Sequence, residues 1–130
     1  MDNLQVVKDV YRLFGEKNIP AVLNHFDKDI RFVRPGNTDI PFAGTFTGTE
    51  GLIKMFTIIG QSIRLTAFTP ENFFSNENMV VVLGTDTAEV IATGKSYTSA
   101  WVQAFTLKDR KITHVQVYMD TLTIAKAFGS

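Results

Sequence analysis

An α+β domain follows from three features of the 130-residue sequence. Helical periodicity dominates the first quarter, alternating strand patterns fill the second half, and the two patterns do not alternate along the chain. MVVVLGTDTAEVIA, SYTSAWVQAFTL and KITHVQVYM are consecutive strand candidates joined by short turns, which predicts an antiparallel meander. No repeat, linker or low-complexity segment divides the chain, so residues 1–130 read as one domain, long enough for a substantial core.

Residues 2–15 have Leu4, Val7, Tyr11 and Phe14 at spacings of three and four, a helix with one apolar stripe. Asp2 with Gln5 forms a capping-box pattern. Asn18 and Pro20 mark the cap and first turn of a short second helix ending near Phe26. DIRFVR (29–34) is a strand stopped by Pro35-Gly36, and NTDIPFAGTFTG is irregular with at most short edge pairings. A third helix is expected from Thr49, burying Leu52, Ile53, Phe56 and Ile59. QSIRLTAF begins the strands and continues past Pro70 around Phe73 and Phe74, and tight turns fall at Thr93-Gly94 and Asp109-Arg110. TLTIAKAF closes the chain as a helix with Leu122, Ala125 and Phe128 inward.

Thirteen basic residues balance thirteen acidic ones without a basic cluster, which argues against a nucleic-acid ligand. The absence of cysteine excludes disulfides and thiol catalysis. The N-terminus has no apolar signal core, and MVVVL is too short to span a bilayer. A soluble cytoplasmic protein is expected. GTFTGTEG (44–51) lacks the spacing of either phosphate-binding glycine motif, so its glycines serve tight turns. His25 and His114 lack an HxxxH or HxH partner, and no GxSxG elbow is present. Neither a metal nor a cofactor is expected.

The remaining chemistry lies in polar residues embedded in apolar strands. Arg34 shares a face with Ile30 and Phe32; Asp86 shares one with Val82, Gly84 and Ala88; Gln103 lies between Trp101 and Phe105. A charge on an apolar sheet face is costly unless it is paired or ligand-directed, so Arg34 and Asp86 are either a buried ion pair or a ligand site. Asp120, at the junction with the last helix, is expected to cap it rather than to act in catalysis. In HVQVYMDT (114–121), Val115, Val117 and Met119 oppose His114, Gln116, Tyr118 and Asp120.

FVRPG, PFAGTFTGTEGL, TGKSY and FTLKDRKITHVQVYMDT, in this order over almost the whole chain, resemble the SnoaL-like branch of the nuclear transport factor 2-like superfamily, whose members include ketosteroid isomerase-related proteins. The resemblance implies a cystatin-like cone: a strongly curved antiparallel sheet wrapped around helices and enclosing one pocket. It implies that Val115, Val117 and Met119 face that pocket, with Tyr11, Phe14, Phe32, Arg34, Asp86, Trp101 and Gln103. His114, Gln116 and Tyr118 would then face outward as a homodimer surface.

The catalytic groups of relatives do not transfer intact. The base shared by polyketide cyclases and limonene epoxide hydrolase falls at Val117, and the ketosteroid isomerase base falls at Arg34. The isomerase's oxyanion tyrosine falls at Val10, beside Tyr11, and its oxyanion acid at Gln103. The epoxide hydrolase's arginine falls at Gly84, while an aspartate of its triad matches Asp86. Asp86 is therefore the candidate base, Gln103 and Tyr11 candidate donors to an oxyanion, and Arg34 the candidate holder of a carboxylate or carbonyl. Isomerase, cyclase or hydrolase chemistry on a small hydrophobic carbonyl or ring compound is one expectation. A non-catalytic ligand-binding homodimer and a structural dimer with an Arg34–Asp86 pair are the others.

Overall fold

A computed structural model describes residues 1–129. Helix α1 (Asn3–Gly15) starts at the anticipated capping box: Asp2 accepts from the Gln5 amide while the Gln5 side chain accepts from the Asp2 amide. Its inward stripe is Val6, Val7, Val10 and Leu13, with Tyr11 and Phe14 on the flank. Helix α2 (Ile19–Leu23) is capped by Asn18 and ends earlier than expected, because Phe26 already begins strand β1 (Phe26–Arg34). Strand β2 (Gly44–Thr47) is the short edge pairing within the irregular segment. Gly44 and Gly48 have φ of 126° and 71°, a left-handed backbone that other side chains resist, so these glycines serve turns.

Helix α3 (Gly48–Ser62) buries Leu52 and Met55, with Phe56 and Ile59 partly covered. Ile53, expected on the buried side, is 49% exposed, since it lies one residue off the stripe that Leu52, Met55 and Ile59 define. Four strands follow as a meander: β3 (Ile63–Ser75), β4 (Met79–Val90), β5 (Ser96–Lys108) and β6 (Lys111–Met119). Helix α4 (Thr121–Ala127) is capped by Asp120, whose carboxylate accepts from the Thr123 amide at 3.1 Å and from its hydroxyl at 2.7 Å. Ile124 and Ala127 are its buried residues; Leu122, expected inward, is 66% exposed.

The six strands form one curved, unclosed sheet in the order β2-β1-β6-β5-β4-β3. All neighbours are antiparallel except β1 and β6, which run parallel. That one junction is parallel because β1 is separated from β6 by β2, α3 and β3–β5, and no hairpin links the two. Register shifts between Leu65 and Ala67, between Pro70 and Asn72 and between Thr106 and Leu107 bend the strands. The helices fill the concave face. There the core divides into one cluster around α1, α3 and Phe105, and another joining Ile40, Phe42, Tyr97 and Ile124.

Candidate functional site

A cavity of about 90 Å³ opens where the two core clusters meet. Strand pairing sets its sheet wall in rows, because residues opposite one another on neighbouring strands share a face. Ala88 faces Tyr97, Asp86 faces Ser99, Gly84 faces Trp101, and Val82 faces Gln103. Strand β6 extends two of these rows, with Met119 beside Trp101 and Val117 beside Gln103. Asp86 therefore stands one row from Tyr97 on one side and one row from Trp101 on the other. Helices α1 and α3 close the opposite wall with Tyr11, Phe14, Phe56 and Ile59, and β1 supplies Phe32 and Arg34.

Gly84 is required by the ring beside it. A Cβ there would lie 2.3 Å from Trp101 Cζ2 and 2.7 Å from the Thr69 carbonyl oxygen. The indole thus lies directly against the bare strand and stacks on Phe68 with centroids 5.1 Å apart and planes 15° from parallel. Tyr11 packs against both rings, and its hydroxyl donates to Gln103 Oε1 at 2.6 Å. That bond commits the Tyr11 proton and the Gln103 oxygen to each other, leaving the Gln103 amide nitrogen as the donor of the pair.

Four buried side-chain polar atoms lack a hydrogen-bond partner among the described residues: Arg34 Nε, Asp86 Oδ1, Tyr97 Oη and Trp101 Nε1. All four belong to residues lining this one cavity. Arg34 and Asp86 do not form the ion pair the sequence allowed. The Arg34 Nη2 group instead donates weakly to Met119 Sδ at 3.7 Å, and the guanidinium lies over the Phe42 ring, 5.1 Å from its centroid. Ser99 offers Asp86 nothing, since its hydroxyl donates to the Ala100 carbonyl and accepts from the Asp120 amide.

Burial pushes the Asp86 carboxyl up to about 6, against the pull of the nearby Arg34 charge. It draws Arg34 down to about 10, although Tyr97 and Asp86 favour the cation. The hydroxyls of Tyr97 and Tyr11 are both raised above the ordinary phenol value by burial, so each is a neutral donor at physiological pH. At pH 7 the site thus holds one guanidinium, one carboxylate and several N–H and O–H donors in apolar walls.

The structure brings Tyr11, Phe14, Phe32, Arg34, Asp86, Trp101, Gln103, Val117 and Met119 to this cavity. Val115, anticipated beside Val117, lies in the solid core between Phe32 and Phe105 and does not line it. Tyr97 is the polar residue that sequence reasoning missed, and Phe68 the chief aromatic one. The strand period carried back from Gln103 and Trp101 through Ser99 reaches Tyr97, so its signal was present. Asp120 is outside the cavity as a helix cap, its carboxyl held below the usual range by the Thr123 hydroxyl and amide. His25 pairs with Asp9 at 2.7 Å, and His114 is not part of the lining. A larger cleft of about 460 Å³ between residues 37–40 and α4 includes none of the four unpartnered atoms. Among the described residues no group of three or more His, Asp or Glu side chains is placed to hold a metal, and no helix is long and apolar enough to cross a membrane.

A curved sheet closed on one side by helices around a mixed apolar and polar cavity defines a pocket protein of the nuclear transport factor 2-like, cystatin-like fold. The chain belongs to the SnoaL-like domain family, whose model matches residues 7–115. A nuclear transport factor 2-like protein from Burkholderia xenovorans is 29% identical, with a TM-score of 0.89 over 98% of this chain and 95% of that one. TerC, co-crystallised with polyporic acid, is 23% identical with a TM-score of 0.85 over 98% of each chain. A Mesorhizobium loti protein assigned as a SnoaL-like polyketide cyclase is 20% identical with a TM-score of 0.74, over 91% of this chain and 99% of that one. No curated protein matches the sequence.

Proposed function

We propose that this protein binds a small, largely apolar carbonyl compound in the cavity and moves a proton on it, with Asp86 as the base. The observation that carries this reading is the convergence of four unpartnered polar atoms on one aromatic-walled space. Native proteins satisfy nearly all such atoms, and leaving one without a partner costs about 1–3 kcal/mol. A ligand that supplies the partners accounts for all four at once.

The chemistry follows from the charges. A carboxylate with its pKa near 6 is ionised at neutral pH and still basic enough to accept a proton from carbon. The C–H bond next to the substrate carbonyl breaks, the proton moves to the Asp86 carboxylate, and the electron pair spreads onto the carbonyl oxygen. The Trp101 indole N–H and the Gln103 amide are the donors that stabilise that oxygen in a water-poor site, with the Arg34 charge nearby. Returning the proton to another carbon completes an isomerisation; the same first step opens cyclisation or elimination. The test is loss of deuterium from α-deuterated ketones and oxo acids, acetophenone and levulinate among them, followed by NMR. Wild-type protein should accelerate it, with the rate rising through pH 6 to a plateau, and Asp86→Asn should fall to the buffer rate. Equal rates with and without Asp86 would exclude it as the base.

A second reading, ligand binding without turnover, is favoured by one observation: the relatives' usual base position is Val117, an apolar residue of the cavity wall. TerC, a fold neighbour, was co-crystallised with polyporic acid, which supports a small-molecule occupant under either reading. Tight binding without deuterium loss would select this second reading. In both, we place a second copy of the chain on the convex face of the sheet. Leu83 and Tyr118 are 38% and 57% exposed there, with Val81, Val102, Ala104, His114 and Gln116 around them. Apolar side chains in one continuous patch favour burial against a partner.

A further inference from the structure

Arg34 is the one cation in the cavity wall, and its surroundings are unusual for a guanidinium. Its direct contacts are a thioether sulfur at 3.7 Å and the face of Phe42, neither of which is an anion. Its Nε is sealed from solvent with no acceptor. Arginine in protein interiors is ordinarily held by a carboxylate in two parallel hydrogen bonds, and Asp86, the sole carboxylate lining the cavity, makes none to it. Among the described residues, then, the cation feels the Asp86 charge but no carboxylate hydrogen-bonds to it.

We infer that the ligand of this cavity carries a carboxylate, which seats on Arg34 next to the Tyr97 hydroxyl. This rests on the reading of the cavity as the functional site and narrows it from carbonyl compounds in general to small planar oxo or unsaturated acids. The row order supports that class. Tyr97 stands at one end, the Trp101 and Gln103 donors at the other, and Asp86 between them. An acid anchored at Arg34 with a carbonyl or conjugated system reaching Trp101 places its central carbons opposite Asp86. A volume of about 90 Å³ favours a small molecule, since an apolar cavity of about 150 Å³ takes benzene. Half-exposed Phe14 and Phe56, 6.2 Å apart on α1 and α3, are the side chains whose movement admits a larger one.

The charged and titratable groups facing the cavity are Arg34 from β1, Asp86 from β4, Tyr97 from β5 and Tyr11 from α1. Burial raises both tyrosines and keeps them neutral, so Arg34 and Asp86 alone set the pH response. A bound carboxylate meets repulsion from ionised Asp86 and loses it when Asp86 takes up a proton. Acid ligands should therefore bind more tightly as pH falls through about 6, while neutral ones should not.

The experiment compares isosteric probes: crotonate against crotonamide, and benzoate against benzamide. Affinity is measured by calorimetry at pH 5.5 and 8 on wild-type protein and on Arg34→Met. The expected result is at least tenfold tighter binding of each acid over its amide in wild type, larger at the lower pH. In Arg34→Met that ratio should drop to about one, with amide binding retained. Amides that bind as well as the acids would overturn the carboxylate while leaving the cavity as the ligand site. Acids that bind Arg34→Met unchanged would do the same, and failure of all four probes would remove both readings. If Arg34→Met does not fold, the acid-to-amide ratio and its pH dependence in wild type decide the matter.

Discussion

Gly84 shows how one residue fixes the site. The missing side chain lets the Trp101 indole lie against strand β4, and the indole in turn sets the position of Phe68 and of its own unpartnered N–H. Gly84→Ala forces the added methyl against both the ring and the Thr69 carbonyl. Overpacking of this kind costs about 1–3 kcal/mol, so the variant should melt measurably lower and its Trp101 fluorescence should shift. A variant with unchanged melting temperature would show that the ring is not held where described. At this scale the sequence was informative about which residues matter. Arg34, Asp86 and Gln103 each stood out as polar groups on apolar faces, and all three reach the cavity. It was silent on how they are joined. That Tyr11 bonds Gln103, while Arg34 and Asp86 stay apart, depends on side-chain reach across helix and sheet, which a pattern of spacings does not encode.

Elements were legible where a local rule governs them. The Asp2 capping box, the Asp120 cap and the hairpin turn at Asp109-Arg110, with φ of 51° and 63°, each follow from residues adjacent in sequence. Faces of apolar helices were harder. In α3, Ile53 and Met55 are both hydrophobic, and only packing against β1 decides that Met55 turns inward. In α4 the same ambiguity placed Leu122 inward when Ile124 and Ala127 form the buried edge. The meander was readable from strand length and turns, but the parallel seam between β1 and β6 joins segments distant in the chain and left no local trace. The convex face of β4–β6 carries the proposed contact with a second copy. Leu83→Lys puts a charge at its centre and should shift the protein from dimer to monomer in sedimentation equilibrium, with probe binding in the cavity unchanged. A wild-type monomer at high micromolar concentration would refute the contact.

Across the whole molecule, the fold leaves polar atoms of Arg34, Asp86, Tyr97 and Trp101 unsatisfied, and in the proposed reading a ligand satisfies them. Such a site weakens the protein in its empty state, a common relation between stability and function. Asp86 makes the relation measurable. Its carboxyl has a pKa of about 6 in the folded protein against 3.8 as the ordinary value. Its contribution to stability is therefore intact below pH 4, declines as pH rises from there through 6, and is absent above that range. The most direct measurement is the unfolding free energy of Asp86→Asn relative to wild type at pH 8 and at pH 4. The variant should equal or exceed wild type at pH 8, by on the order of 2 kcal/mol, with the gain vanishing at pH 4. A loss of about 3–5 kcal/mol at pH 8 is the mark of a broken buried ion pair and would contradict the proposed reading.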